Sequence, residues 1–250
     1  LMVNTGRIRD HWHTMTRTGK SPRLSQHIAE PFCEINPDDA MRFGIRTADL
    51  VKVENERGSV VVRASVTTRQ QQGHVFVPMH WNDSYAADAR VGKLVNDLVD
   101  PASGQPALKM ALASVTKFDA AWHGFAVTRG RPRLDFDYWA SARINGGWRT
   151  EFASAAWPDA WDRTAREVLG AAADEELISY QDRRRGDWRF ASLRSGMPHG
   201  VLYASREPVA VARSWDPALL GGGIGASGGA GALLAGRPGG GKADVGAIAC

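Results

Sequence analysis

Cysteine is nearly absent: the 250 residues contain two, Cys33 and Cys250. Two thiols so far apart make neither a disulfide framework nor a four-cysteine cluster site, and a reducing cytoplasm is the simplest setting for them. No run of about 18 apolar residues occurs, so no membrane span is expected. No basic segment leading into an apolar one marks a secretory signal. Internal repeats are missing, and so are helix-turn-helix, finger and RNA-binding patterns. Self-contained catalytic machinery is missing too. No nucleophile stands beside a base, and Asp97 and Asp100 form no carboxylate pair fixed by local spacing. No catalytic residue is therefore assigned. Chemistry in this chain would belong to a cofactor or to another part of the protein.

What is present is an ordinary apolar fraction, 43%, with a net charge of +4 and a pI near 9.3. That balance suits an anionic partner: a nucleotide, a nucleic acid or an acidic lipid. The charge is concentrated in "NTGRIRDHWHTMTRTGKSPRL", residues 4 to 24, with five Lys or Arg, one Asp, two His and six Ser, Thr or Asn. A solvated basic segment is the bland reading. The mixture argues for more: Gly6 for close backbone approach, hydroxyls, arginine forks and the Trp12 plate are what hold a ligand with several phosphates and a heterocycle. Each charge-assisted hydrogen bond there contributes about 1.5–3 kcal/mol. His11 and His13 would share a face on a strand, but a metal site needs further ligands, and nothing fixes His27, His74 or His80 nearby. Histidines that pack or hydrogen-bond are commoner.

Along the chain, "INPDDAMRFGI" predicts a short helix: Asn36 caps it, Pro37 opens it, Asp38 and Asp39 suit its positive end, and Gly44 ends it. "DLVKVENERGSVVVRASV" predicts two strands around a turn at Asn55 to Gly58, with Val60, Val62, Ala64 and Val66 on one face. "GHVFVPMHW" predicts another strand and "LKMALASVTKF" a last, mixed one. Residues 1 to about 120 thus read as β-rich. Residues 121 to 218 read as a smaller α+β region. There "PDAWDRTAREVLG" predicts a helix with Trp161, Ala165 and Val168 or Leu169 on one face and Gly170 as its stop. "DEELISYQDRRRGDWRFASLR" predicts a short helix or strand, a turn at Arg185 to Asp187, and then an aromatic strand. Five of the nine Trp lie between 139 and 188, a packing signal. Residues 221 to 246 hold twelve glycines, so 219 to 250 read as a flexible linker. Within it, Gly223-x-Gly225-x-x-Gly228 has dinucleotide-fingerprint spacing and "GRPGGGKA" has P-loop spacing. Neither has a leading strand, and Ala243 stands where a phosphate loop needs a hydroxyl.

Four segments occur in order: "TGRIRDHWHTMTRTGKSPRL", "INPDDAMRFGIRTADLVKVENERGSVVVRA", "GHVFVPMHW" and "DPASGQPALKMALASV". Together they resemble the C-terminal molybdopterin-dinucleotide-binding domain of the bacterial molybdenum oxidoreductases, and most of all that of assimilatory nitrate reductases. The resemblance covers residues 4 to about 118. It implies a double-psi β-barrel over 1–120, giving a mostly β or α+β fold with a smaller α+β region and a Gly-rich linker behind it. It implies bis(molybdopterin guanine dinucleotide) with molybdenum as cofactor. By position, Thr5, Gly6, Arg7, His11, Trp12, His13 and Thr14 match the first cofactor-binding loop, Lys109 matches a closing lysine, and His80, Trp81 and Asn82 match a further loop. Relatives carry Asn and then Leu-Thr before the Asp-Pro, whereas this chain has Gly92-Lys93-Leu94-Val95. The molybdenum ligand and the cysteines of a [4Fe-4S] cluster are not in the sequence. "LLAGRP…DVGAIAC" resembles the linker into a small [2Fe-2S] domain, making Cys250 the expected first cysteine of such a site in a longer protein. Cys33 has no matching role and reads as a buried thiol. The resemblance further implies the remaining domains of the enzyme and an electron-donor protein as partners, in the cytoplasm, with no membrane or nucleic acid. Two rivals stand beside nitrate reduction. One is another enzyme of this family, such as a formate dehydrogenase. The other is a non-enzymatic barrel binding a peptide or nucleic acid, since fold alone does not decide function.

Overall fold

The computed structural model describes residues 1–213, 220 and 230–236. They fall into two compact units. The first comprises Leu1–Lys20 and His27–Asp119; the second starts at Ala120 and also takes in Ser21–Gln26. None of the described helices is long and apolar enough to cross a membrane.

The first unit is a mixed seven-stranded sheet. In chain order its strands are β1 (Met2–Gly6), β2 (Phe32–Ile35), β3 (Leu50–Asn55), β4 (Gly58–Val66), β5 (His74–Pro78), β6 (Ala111–Leu112) and β7 (Ser114–Lys117). Their order in space is β6-β1-β5-β2-β4-β3-β7. The pairs β1–β5 and β2–β4 are parallel and the others antiparallel. The mostly-β reading holds. β3 and β4 meet at the expected turn, with Asn55 opposite Gly58. Val60, Val62, Ala64 and Val66 share one face of β4, and the intervening residues are buried as well: Val60 through Ser65 are all buried. As an inner strand between β2 and β3, β4 is covered on both faces, which a continuous apolar run allows and alternation alone does not reveal. Even Arg63 is buried there, its guanidinium 3.0 Å from the Glu30 carboxylate.

Helix α1 (Pro37–Arg42) follows its sequence signals. The Asn36 side chain accepts from the Asp38 N–H at 2.9 Å, and Gly44 takes φ 65°. Cys33 is fully buried, and burial first, then the neighbouring Glu34 charge, pushes its thiol up to about 12.

The second unit is a six-stranded antiparallel sheet built from β8 (Trp122–Thr128), β9 (Tyr138–Ile144), β10 (Gly147–Ser154), β11 (Glu176–Asp182), β12 (Asp187–Arg194) and β13 (Met197–Ser205). Helix α2 (Trp161–Leu169) packs Ala165, Val168 and Leu169 against Trp122, Phe190 and Leu202, and stops at Gly170, φ 63°. Trp161 stacks on Trp188, ring centres 4.7 Å apart. The tryptophan-rich stretch is thus partly core. The opposite sheet face carries Phe125, Val127 and Val201. There a short helix, α3 (Ala230–Ala235), inserts Leu233. This α3 lies inside the stretch that composition assigns to a linker. The four residues Ala232–Ala235 supply enough apolar surface for one helical turn to bury, and the Tyr203 hydroxyl caps it by donating to the Leu233 carbonyl. The segment Ser21–Gln26 joins this unit through Arg149, which donates to the Ser25 carbonyl at 2.9 Å. The two glycine-motif matches and Cys250 lie outside the described residues, apart from Gly236.

Candidate functional site

Topology assembles the site before any side chain does. β1 and β5 run parallel with Gly6 opposite Pro78, so both chains leave the sheet side by side at the same end. The Met79 N–H donates to the Gly6 carbonyl at 3.0 Å. The basic stretch after Gly6 and the polar stretch after Met79 therefore start as neighbours. On the other edge of β1, β6 runs antiparallel, with Ala111 opposite Val3. Read backwards from Ala111, the chain heads toward the Gly6 end. Lys109, exposed, lies on that approach beside Met110, whose N–H donates to the Val3 carbonyl at 3.0 Å.

The predicted residues then separate by burial. His11, His80 and Trp81 are buried, at 5%, 0% and 2% exposure. The His11 ring lies 5.8 Å from that of His80 and 5.6 Å from that of Trp81. Burial pushes both histidines below their ordinary value. For His11 the neighbouring His80 adds to the effect, and for His80 nearby Arg7 does. Both are neutral at neutral pH. His80 has a defined tautomer: its Nε2 accepts from the Ile8 N–H at 2.9 Å, so Nδ1, 2.6 Å from the His13 carbonyl, must carry the proton. Asn82 donates to the Thr14 carbonyl at 2.8 Å.

Arg7, Trp12, His13 and Thr14 face solvent. The Arg7 guanidinium sits 4.8 Å above the Trp12 ring, a contact contributing about 0.5–1 kcal/mol at an exposed position. The His13 ring meets Trp12 edge-on, centres 4.6 Å apart. Of seven buried side-chain polar atoms without a hydrogen-bond partner among the described residues, two, Thr5 Oγ1 and His11 Nδ1, lie in this region. Orphaned polar atoms are rare in native interiors and call for a partner. No three His, Cys, Asp or Glu side chains among the described residues come together as a metal site. Of the remaining acids, Asp97 pairs with Arg57 at 3.1 Å and Asp100 caps its own turn through Ser103.

Sequence reasoning missed Tyr85 and Gly19. The Tyr85 hydroxyl donates to the Met15 carbonyl at 3.3 Å, and its ring lies against Gly19. The available signal was a lone aromatic in a polar loop, "NDSY".

A family model described as "Molydopterin dinucleotide binding domain" matches residues 1–112. Similar curated proteins include a nitrate reductase of Klebsiella oxytoca, 43% identical over 129 residues, 52% of this chain and 15% of that protein. The alpha subunit of a formate dehydrogenase of Methanococcus maripaludis is 39% identical over 117 residues, 47% of this chain and 17% of that protein. The assimilatory nitrate reductase catalytic subunit of Bacillus subtilis is 35% identical over 115 residues, 46% of this chain and 16% of that protein. The chain thus spans roughly one sixth of the length of these relatives. Among solved structures, acetylene hydratase from Pelobacter acetylenicus aligns with a TM-score of 0.41 at 16% identity, over 47% of this chain and 18% of that one.

Arg7 and Lys109 are exposed cations and Trp12 an exposed aromatic face, a set of residue types that could hold a phosphorylated heterocycle.

Proposed function

We propose that this chain is the cofactor-holding C-terminal part of a molybdenum-dependent nitrate reductase, which reduces nitrate to nitrite by two electrons. The observation carrying this reading is the match of residues 1–112 to the dinucleotide-binding family, joined by 43% identity to a nitrate reductase. The parallel pairs β1–β5 and β2–β4 inside a mixed sheet support a double-psi plan for the first unit. The ligand is bis(molybdopterin guanine dinucleotide), which supplies the two-electron redox chemistry when bound. Arg7 and Lys109 neutralise its phosphates, the backbone at Gly6 allows close approach, and Trp12 and His13 lie against its rings. In this reading the [4Fe-4S] and [2Fe-2S] clusters belong to other parts of a cytoplasmic enzyme, with Cys250 the first ligand of the latter, and a separate protein donates electrons. A second reading, formate oxidation, is favoured by the 39% identity to a formate dehydrogenase subunit.

Two measurements on the full-length protein test this. Lys109→Ala is expected to lower molybdenum and guanine nucleotide content; wild-type content in that variant counts against the assigned role. Nitrate consumption driven by a reduced dye is expected, and formate-dependent dye reduction without nitrate turnover would replace the first reading with the second.

A further inference from the structure

Three side chains of the 80–85 stretch grip three consecutive carbonyls of the basic loop. His80 Nδ1 bonds the His13 carbonyl, Asn82 Nδ2 the Thr14 carbonyl, and the Tyr85 hydroxyl the Met15 carbonyl. The same His80 ring takes the Ile8 N–H on its other nitrogen. We propose that His80, Asn82 and Tyr85 are positioning residues, a template that moulds residues 8–19 before any ligand arrives, and that the missing side chain of Gly19 is what lets Tyr85 take its place. The division of labour rests on the reading that this loop holds the dinucleotide.

The backbone supplies the reason for a template. His13 and Met15 both sit at positive φ, 44° and 59°, a region that non-glycine residues leave unless their surroundings hold them there. The carbonyls of those two residues are gripped from outside the loop. That of Met15 takes a second bond from the Gly19 N–H at 2.9 Å. The loop adds its own links, Met15 N–H to the Trp12 carbonyl at 3.1 Å and Trp12 N–H to Thr18 Oγ1 at 3.4 Å. With its backbone and His11 turned inward, the loop sends Trp12, His13 and Thr14 outward. His80 is fully buried and has both ring nitrogens occupied, so neither is available to a ligand. Preorganisation of this kind spares a ligand the entropy of ordering the loop, and so acts on how long it stays bound.

The test is hydrogen–deuterium exchange by mass spectrometry on the full-length protein, both cofactor-free, from a host unable to make the cofactor, and loaded. His80→Ala, Asn82→Ala and Tyr85→Phe are compared with Arg7→Ala. Exchange in peptides spanning residues 7–19 of the cofactor-free protein is expected to rise about five- to tenfold in each template variant, the scale of one lost hydrogen bond. In Arg7→Ala, which loses only the exposed contact with Trp12, the rise is clearly smaller, about twofold. In the loaded form all four variants release the dinucleotide faster. Wild-type exchange across 7–19 in the template variants overturns the proposal, and Tyr85→Phe, which removes one oxygen, keeps it exposed to refutation if a larger change prevents folding. A protein that never holds the dinucleotide defeats the proposed function alone, because the cofactor-free exchange still reads the template.

Discussion

Gly19→Ala isolates one atom. A Cβ at residue 19 would lie 2.4 Å from Tyr85 Cζ and 2.6 Å from its hydroxyl oxygen, where carbon contacts relax only at about 3.5–4.0 Å. The ring must therefore retreat by about 1 Å. Gly19 is not at positive φ, so its backbone accepts alanine and the clash is the whole objection. Overpacking costs about 1–3 kcal/mol, and loss of the hydroxyl bond to Met15 about 1 kcal/mol more. The expected loss is about 2–4 kcal/mol. Denaturant unfolding of the full-length protein, followed by the first unit's transition, measures it. The control is a double-mutant cycle. With Tyr85→Ala already present there is no ring to displace, and Gly19→Ala should then cost less than about 0.5 kcal/mol. An equal cost in both backgrounds would refute the contact argument and, with it, the slot for Tyr85.

Glu30→Ala leaves the buried Arg63 guanidinium without the carboxylate 3.0 Å away. A loss of about 3–5 kcal/mol is expected, and a change under 1 kcal/mol in urea unfolding would show the pair to be solvated. His11 and His80 are both held below their ordinary value by burial, so they bind protons more weakly folded than unfolded. Their contribution to stability is complete above the unfolded value, about 6.5, and is lost as pH falls from there through their folded values. Unfolding midpoints should drop between neutral and mildly acidic pH, and less so in His80→Gln; a flat profile would count against the neutral assignment. Cys33, its thiol pushed up to about 12, should resist iodoacetamide at pH 8 in the native state and react once the chain is unfolded.

Local signals were legible wherever one element decides its own form. The α1 helix needed only Asn36, Pro37 and Gly44; the β3–β4 hairpin needed only its two apolar runs and a polar turn. The chemistry of residues 5–14 was legible in kind, because cations, hydroxyls and an aromatic in one short span suit few ligands other than a phosphorylated heterocycle. Their division of labour was not. His80 and Asn82 carry ligand-binding chemistry in sequence and spend it on carbonyls 67 and 68 residues away. That pairing follows from the parallel β1–β5 register, which no local pattern encodes. β8, β9, β10 and β13 went unrecognised for a related reason. Their residues are mostly buried in runs, so they lack the alternation that marks a half-exposed strand.

Sequence by itself determined the composition of the loop and the family model that residues 1–112 match, because both are properties of residue order. Tertiary structure alone decided which of those residues face a ligand and which hold the loop in shape. Burial and hydrogen-bond satisfaction depend on neighbours brought together by strand pairing, and the same histidine is a ligand contact when exposed and a scaffold when both of its nitrogens are already bonded.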